Sequence, residues 1–331
     1  MTPERRHLVM GAAAALSVPA LMQGASAQGT LAQGTTGGAA ATAQAPGFFR
    51  YRIGGFTVTS LHDGSRAVPL QGFVRNAPLE EVQRTLAESF LPTDQLRIPF
   101  TAPLVDTGRH LVLIDTGNGP QAPGAPVGHV IANMRAAGHD PARVTTVVIT
   151  HFHGDHINGL TTAEGTAAYP NAEVVVPEAE WRFWTDEGAA ARAPEPMRAA
   201  FANVRQRFAP YQGRIRQLGD GAEAVPGIRL QAAHGHTPGH SVVHVADGSE
   251  QLLYVADTTN RPELLARRPE FHIMFDMDGA AAEATRRRIF DRLAAERMRV
   301  AGFHFPFPAT GFVAKEGNGY RFVPADWAAA I

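Results

Sequence analysis

The sequence predicts an α/β fold of the α+β type, a layered sandwich in which two β-rich halves each carry their own helices. Three observations lead there. From Gly47 onward, short β-rich runs alternate with stretches whose apolar residues recur every three or four positions. The alternation fills both halves of the chain, with no short-period repeat of the kind that builds a solenoid. The 331 residues, 44% of them hydrophobic, suffice for one large core, so residues 47–331 are expected to form a single domain.

In chain order, the strands expected in the first half are Phe56 to Leu61, Leu111 to Ile114, Val144 to Ile149 and Glu173 to Val176. The second half continues with Ile228 to Ala232, Ser241 to Val245 and Leu252 to Val255. Helices are expected over Leu79 to Phe90, Val127 to Ala137, Pro196 to Phe208 and Ala280 to Met298, where an apolar face recurs at helical spacing.

Ahead of this domain, Arg5-Arg6, the apolar run Leu8 to Leu21 and the small-residue site Ala25-Ser26-Ala27 read as an export signal, residues 1–27, of twin-arginine or general secretory type. Residues 28–46, rich in Gly, Ala, Thr and Gln, have too little hydrophobic content to pack and read as a disordered linker. The expected location is periplasmic or secreted. The apolar run is short for a membrane span and nothing later reaches about 18 uninterrupted apolar residues, so no membrane partner is expected.

Lys plus Arg (30) nearly balance Asp plus Glu (31), leaving no field that would draw nucleic acid. A small, largely uncharged substrate fits better. The absence of cysteine excludes disulfides, a thiolate nucleophile and Cys-ligated zinc. Metal binding must then use the 14 histidines and the carboxylates.

The chemistry concentrates where the expected strand Val144 to Ile149 runs into Thr150-His151-Phe152-His153-Gly154-Asp155-His156. In an extended segment, residues two apart point the same way, so His151 and His153 can grip one ion. Asp155 and His156 fall on the turn that opens the next helix and can face a second ion. Gly154 permits the tight turn between them. Three imidazoles and a carboxylate in six residues have no packing rationale.

This run resembles the His-x-His-x-Asp-His signature of the metallo-β-lactamase superfamily, and further motifs follow in the family's order. Ile114-Asp115-Thr116-Gly117 is similar to the strand end whose aspartate, here Asp115, supports the metal loop from behind. His236-Thr237-Pro238-Gly239-His240-Ser241 is similar to the segment carrying a third histidine ligand, Val255-Ala256-Asp257 to the strand ending in a bridging aspartate, and Gly302-Phe303-His304 to the last histidine. The resemblance implies an αβ/βα four-layer sandwich. It also implies two divalent metal ions, zinc by default, with manganese, cobalt or iron compatible with the same ligands.

Within the third segment the reading selects His240, because the Pro238-Gly239 turn leaves its imidazole at the rim of the sheet. His236 is expected to support that turn through hydrogen bonds, His234 to line the site, and His244 to lie inside a strand. The implied ligand sets are His151, His153 and His240 on one ion and Asp155, His156 and His304 on the other, with Asp257 between. Asp155 and Asp257 are the expected catalytic carboxylates, holding a hydroxide between the ions as nucleophile.

Stretches that extend beyond the ligand residues resemble the methyl parathion hydrolase branch, whose members hydrolyse phosphotriesters, aryl esters and lactones. They are Ala45-Pro46-Gly47-Phe48-Phe49-Arg50-Tyr51, Phe275-Asp276-Met277-Asp278, His304-Phe305-Pro306-Phe307-Pro308 and Gly319-Tyr320-Arg321-Phe322-Val323-Pro324. By that resemblance Phe183-Trp184 is expected to wall a leaving-group pocket, and a homodimer is the expected assembly. The loop Asn118 to Pro126 lacks the phenylalanine that organophosphate hydrolases of the branch place there. The expected activity is therefore lactone or aryl ester hydrolysis with phosphotriester hydrolysis as a side reaction. The alternatives are a dedicated organophosphate hydrolase and a mono-iron persulfide dioxygenase.

Overall fold

In the computed structural model, which describes residues 44–331, one seven-stranded sheet runs in chain order. Its strands are β1 (Phe48–Ile53), β2 (Phe56–Pro69), β3 (Gln95–Asp106), β4 (Leu111–Ile114), β5 (Thr146–Val148), β6 (Glu173–Pro177) and β7 (Ile215–Leu218). Pairing is antiparallel from β1 to β4 and parallel from β4 to β7. The second sheet has β8 (Glu223–Val225), β9 (Ile228–Ala232), β10 (Ser241–Asp247), β11 (Glu250–Tyr254), β12 (Arg299–Ala301), β13 (Thr310–Glu316) and β14 (Gly319–Pro324). It is antiparallel apart from the β11–β12 pair. The helices are α1 (Leu79–Ala87), α2 (Val130–Ala136), α3 (Gly154–Ile157), α4 (Glu178–Thr185), α5 (Glu187–Arg192), α6 (Glu195–Phe208) and α7 (Gly279–Glu296).

Alternation along the strands sorts the side chains into layers. On β10 and β11, Val243, Val245, Leu252 and Tyr254 join the core shared with the first sheet, where Val58, Leu104, Leu113 and Val147 lie. Their neighbours Val242 and Leu253 point the other way and pack with Ile289, Phe290 and Leu293 of α7. A period of two thus assigns one face to the inter-sheet core and the other to a helix. The α2 helix packs on β1 and β2, and α7 on β13. The architecture is the αβ/βα sandwich of the metallo-β-lactamase fold, a single domain in which two mixed sheets face each other between helices.

β1, β7, β8, β12, β13, β14, α4 and α5 are not among the expected elements, and three further departures have a local reason. The strand expected at Phe56 to Leu61 continues to Pro69, because a bulge between His62 and Gly64 re-aims the chain without ending the pairing with β3. Gly64 is required there: a Cβ would lie 1.9 Å from the Pro126 carbonyl. β3 is not among the expected strands, and it contains Pro99 and Pro103, residues rarely found inside a sheet. Thr101 N–H turns away from β2 to the Phe303 carbonyl at 2.8 Å, and the two prolines share its direction, so no bond to β2 is lost. The helix expected from Val127 begins at Val130, because Val127 bridges to Gly64 and Gly128 has φ +96°.

The export signal and residues 28–43 of the expected linker lie outside the described residues. A chain beginning at Gln44 is expected to fold with an unchanged thermal midpoint, because residues 1–43 read as signal and linker while the strands begin at Phe48. A midpoint lowered by several degrees in scanning calorimetry would overturn that.

Candidate metal centre

The site forms where strand ends of both sheets meet. β5 delivers His151 and His153, and α3 carries Asp155 and His156. The turn after β9 brings His236, Asp257 follows β11 and His304 follows β12. Their ligand atoms fall into three overlapping groups, each within 4.8 Å: His151, His153 and His236; His151, His156 and Asp257; Asp155, His156 and His304. Asp257 touches both outer groups, with Oδ2 at 3.3 Å from His236 Nε2 and 3.0 Å from His304 Nε2.

One nitrogen of most of these rings is held by the protein, leaving the other for the site. His156 Nδ1 meets Asp115 Oδ2 at 2.8 Å, His236 Nδ1 meets Asp276 Oδ1 at 2.9 Å, and His304 Nδ1 meets the Pro99 carbonyl at 3.0 Å. His151 Nδ1 lies 3.1 Å from Thr150 Oγ1. His153 presents Nδ1 inward, 3.2 Å from His151 Nε2 and 2.9 Å from His236 Nε2. Fixing the tautomer this way is how ligating histidines are oriented. Asp115, the expected support, has φ +57° and also accepts from Thr150 N–H and Tyr254 O–H. Ala256, just before Asp257, has φ +44°. Backbone strain beside both carboxylates fits a site whose geometry the surroundings impose.

His236, not the expected His240, places a ring nitrogen with those of His151 and His153. His240 Nδ1–H donates to the Ala233 carbonyl at 2.9 Å, and its Nε2 accepts from Asp257 N–H at 3.1 Å. Both nitrogens are occupied, so no lone pair is left for an ion, and His240 instead fixes the backbone that carries Asp257. The Pro238-Gly239 turn has another use: a Cβ on Gly239 would fall 2.0 Å from Glu180 N, so only glycine lets this turn pack against α4.

Phe183 and Trp184 do not wall the site. Trp184 is 1% exposed, packs on Phe183 and Phe201, and donates its indole N–H to Glu180 Oε1 at 2.7 Å. Its position in α4 turns it into the core beneath the metal loop. Trp184→Ala is expected to cost about 3–5 kcal/mol of stability, the usual scale for emptying an aromatic core site. The Michaelis constant for esters should stay put, which denaturation and kinetics on the same sample would check.

Three buried residues of the site escaped the sequence reading. Glu180 accepts from Phe152 N–H, Trp184 Nε1–H, Thr237 O–H and Gly239 N–H, between 2.7 and 3.0 Å, tying the metal loop to the His236 turn. Burial raises its pKa and the donors pull it back. Asp276 anchors His236, and Arg286 on α7 lies 3.5 Å from Asp276 while donating to the Thr258 carbonyl at 2.9 Å. Only Phe275-Asp276-Met277-Asp278 had stood out in the sequence, without a role.

The electrostatics and the donor atoms suit cations. Burial holds His151 and His153 well below the ordinary imidazole range, and burial with His236 beside it brings His240 to about 3. Burial also opposes charge on His236, yet Asp257 and Asp276 together push it up to about 9. Burial would likewise raise Asp257, but His304, His156 and His236 outweigh it and hold the carboxyl well down. His156 Nε2 and Asp257 Oδ1 are buried 3.1 Å apart, yet neither finds an aligned hydrogen-bond partner among the described residues. Lone-pair atoms converging on one space fit divalent ions, which keep imidazoles neutral and carboxylates ionised.

Above this floor opens a cavity of about 370 Å³. Val68, Ile98, Phe100 and Phe275 give it apolar walls, and Asn118, Asn158, Asn260 and Arg66 give it donors. The loop after β4 contributes Asn118 to this wall.

Comparison with known proteins agrees with this geometry. The family description "Metallo-beta-lactamase superfamily" matches residues 102–302. AidC, a dizinc quorum-quenching lactonase solved in complex with a product, superposes with a TM-score of 0.80 at 25% identity, over 85% of this chain and 98% of that one. A hydrolase of the beta-lactamase superfamily, AbOPH, also gives 0.80 at 29% identity, over 86% of this chain and all of that one (100%). A ribonuclease Z of Pyrococcus furiosus is 36% identical over 69 residues, so the chain spans only 19% of that curated relative's length and 21% of its own. With the metal-loop motif at strand ends, two facing mixed sheets and a family match across both halves, this chain belongs to the metallo-beta-lactamase superfamily.

Proposed function

We propose that this protein is a binuclear metal-dependent hydrolase acting on lactones or aryl esters, with phosphotriester hydrolysis as a side activity of methyl parathion hydrolase type. The observation that carries it is the convergence of His151, His153 and His236 on one side and Asp155, His156 and His304 on the other, with Asp257 touching both, at the floor of an apolar-walled cavity. In this reading each set would hold one divalent ion, zinc by default, with Asp257 placed to serve both. The ions supply Lewis acidity and an acidified water when bound. The dizinc centre named for AidC supports that stoichiometry.

The chain's own residues do the rest. Asp115, Asp276 and the Pro99 carbonyl orient three of the imidazoles. The walls Ile98, Phe100 and Phe275 receive an apolar or aryl group of the substrate. Aromatic walls suit a nitrophenyl or phenyl leaving group, which is why phosphotriesters remain in the proposed range. Residues 1–27 act as the export signal in this reading, placing the enzyme in the periplasm or outside the cell.

A hydrolysis screen of the zinc-loaded protein on dihydrocoumarin, an acyl-homoserine lactone, phenyl acetate and paraoxon is the direct test. Turnover of a lactone or aryl ester faster than paraoxon is the expected result. Two tightly bound ions with no turnover of any of the four would sink the reading.

A further inference from the structure

We propose that Asn260 is a catalytic hydrogen-bond donor, whose side-chain Nδ2–H meets the oxygen on which negative charge develops as the ester or lactone carbonyl is attacked. The proposal rests on the hydrolase reading and adds a residue to it.

Asn260 follows Asp257 by three residues and lines the same cavity, yet it is only 2% exposed. Its Oδ1 accepts from Arg261 N–H at 3.0 Å, which fixes the orientation of the amide and turns Nδ2 away from the backbone. No described residue accepts a hydrogen bond from that Nδ2, although Nδ2 is not among the buried atoms without a partner. A nitrogen in that situation faces the cavity. An amide N–H that is oriented, open to the cavity and without a protein acceptor is free to meet a ligand's oxygen.

The other donors of the cavity are engaged or out of place. Asn118 Nδ2 donates to Asp63 Oδ2 at 2.9 Å. Asn158 is only partly buried, and its Oδ1 accepts from Asn203 Nδ2–H at 2.9 Å. Arg66 is exposed at the mouth, 3.4 Å from Gln121 Oε1. Asn260 alone among these is buried, oriented and unengaged.

Its position is also rigid. The Arg261 guanidinium makes two bonds to the Glu263 carboxylate, at 2.9 and 2.8 Å, and a third to the Arg97 carbonyl of β3 at 3.1 Å. The donor is thus held in place before substrate arrives, which is what makes such a group effective. In the reaction, water adds to the carbonyl carbon and gives up a proton, the C=O π pair moves onto oxygen, and its return expels the alkoxide or phenolate, which takes up that proton. Asn260 transfers no proton; its hydrogen bond strengthens as the oxygen becomes anionic.

The test compares wild type with Asn260→Ala and with Asn260→Asp, which keeps the shape and the acceptor for Arg261 N–H. Zinc content and melting temperature are checked on each. For phenyl acetate and dihydrocoumarin, kcat should fall by about 10²-fold in both variants while KM moves far less. Calorimetric affinity for phenylphosphonate, a tetrahedral oxyanion, should weaken by about tenfold or more in Asn260→Ala. If the wild type turns over both substrates and both variants match it, Asn260 is not the donor while the hydrolase reading stands. If the wild type turns over neither substrate but phosphonate affinity still falls on substitution, Asn260 binds an oxyanion, and its catalytic role falls with the hydrolase reading. A wild type with neither turnover nor phosphonate affinity overturns both.

Discussion

Asp257→Ala is expected to leave at most one tightly bound metal ion per chain and to lower kcat/KM for esters by more than the roughly 10- to 100-fold that outer partners of metal ligands cost. The reason lies in how many groups this one carboxylate serves. Oδ2 lies within 3.3 Å of both His236 and His304, and Oδ1 lies 3.1 Å from His156, so its removal takes a negative charge from both ligand sets at once. With the carboxylate gone, charge on the buried histidines has less to offset it, and two dications held close together lose the anion between them. The contrast between two histidines sharpens the test. His236→Ala should lose an ion in the same way. His240→Ala should retain both and instead lose about 1–3 kcal/mol of stability, because Asp257 N–H then has no acceptor. Elemental analysis of the three variants, with melting curves, separates these outcomes; retention of both ions by His236→Ala would return the ligand role to His240.

Glu180→Gln is expected to destabilise the fold by about 2–4 kcal/mol and to weaken metal affinity by about 10- to 100-fold, although the residue touches no ligand atom. Its two oxygens each accept two hydrogen bonds, from Phe152 N–H and Trp184 Nε1–H on one side and from Thr237 O–H and Gly239 N–H on the other. A glutamine has only one oxygen. Whichever way the amide is turned, its NH₂ faces a pair of donors that includes a backbone N–H unable to reverse. Phe152 lies between His151 and His153, and Thr237 follows His236, so the strain falls on the three histidines of one set. Denaturant melts report the stability term and competition with a chelator reports the affinity. A variant as stable as wild type, with unchanged zinc affinity, would show that the buried carboxylate is not the clamp inferred from its bonds.

How much of this was legible beforehand differs from element to element. The metal loop was legible because its ligands are adjacent in sequence, and a strand-to-helix turn with His at alternate positions has few geometric solutions. β9 matched its expected span, and β10 and β11 were located to within a few residues, because strands covered on both faces leave short runs of buried apolar and β-branched residues. β3 was not among the expected strands, and its prolines face an edge whose partner lies some 200 residues away in the chain, at Phe303.

The sequence alone determined the fold class, the superfamily resemblance, the absence of thiolate chemistry and six of the seven residues that now converge. Tertiary structure decided the seventh, because His236 and His240 sit four residues apart in one motif and differ only in what their ring nitrogens meet. It moved Trp184 from the pocket to the core, and it revealed Glu180 and Asp276 as the carboxylates that hold the ligands in place. A residue type at a given spacing states which chemistry is available. Which lone pair remains open after neighbouring groups have taken theirs depends on contacts between segments distant in the chain, and those exist only once the two sheets have closed on each other.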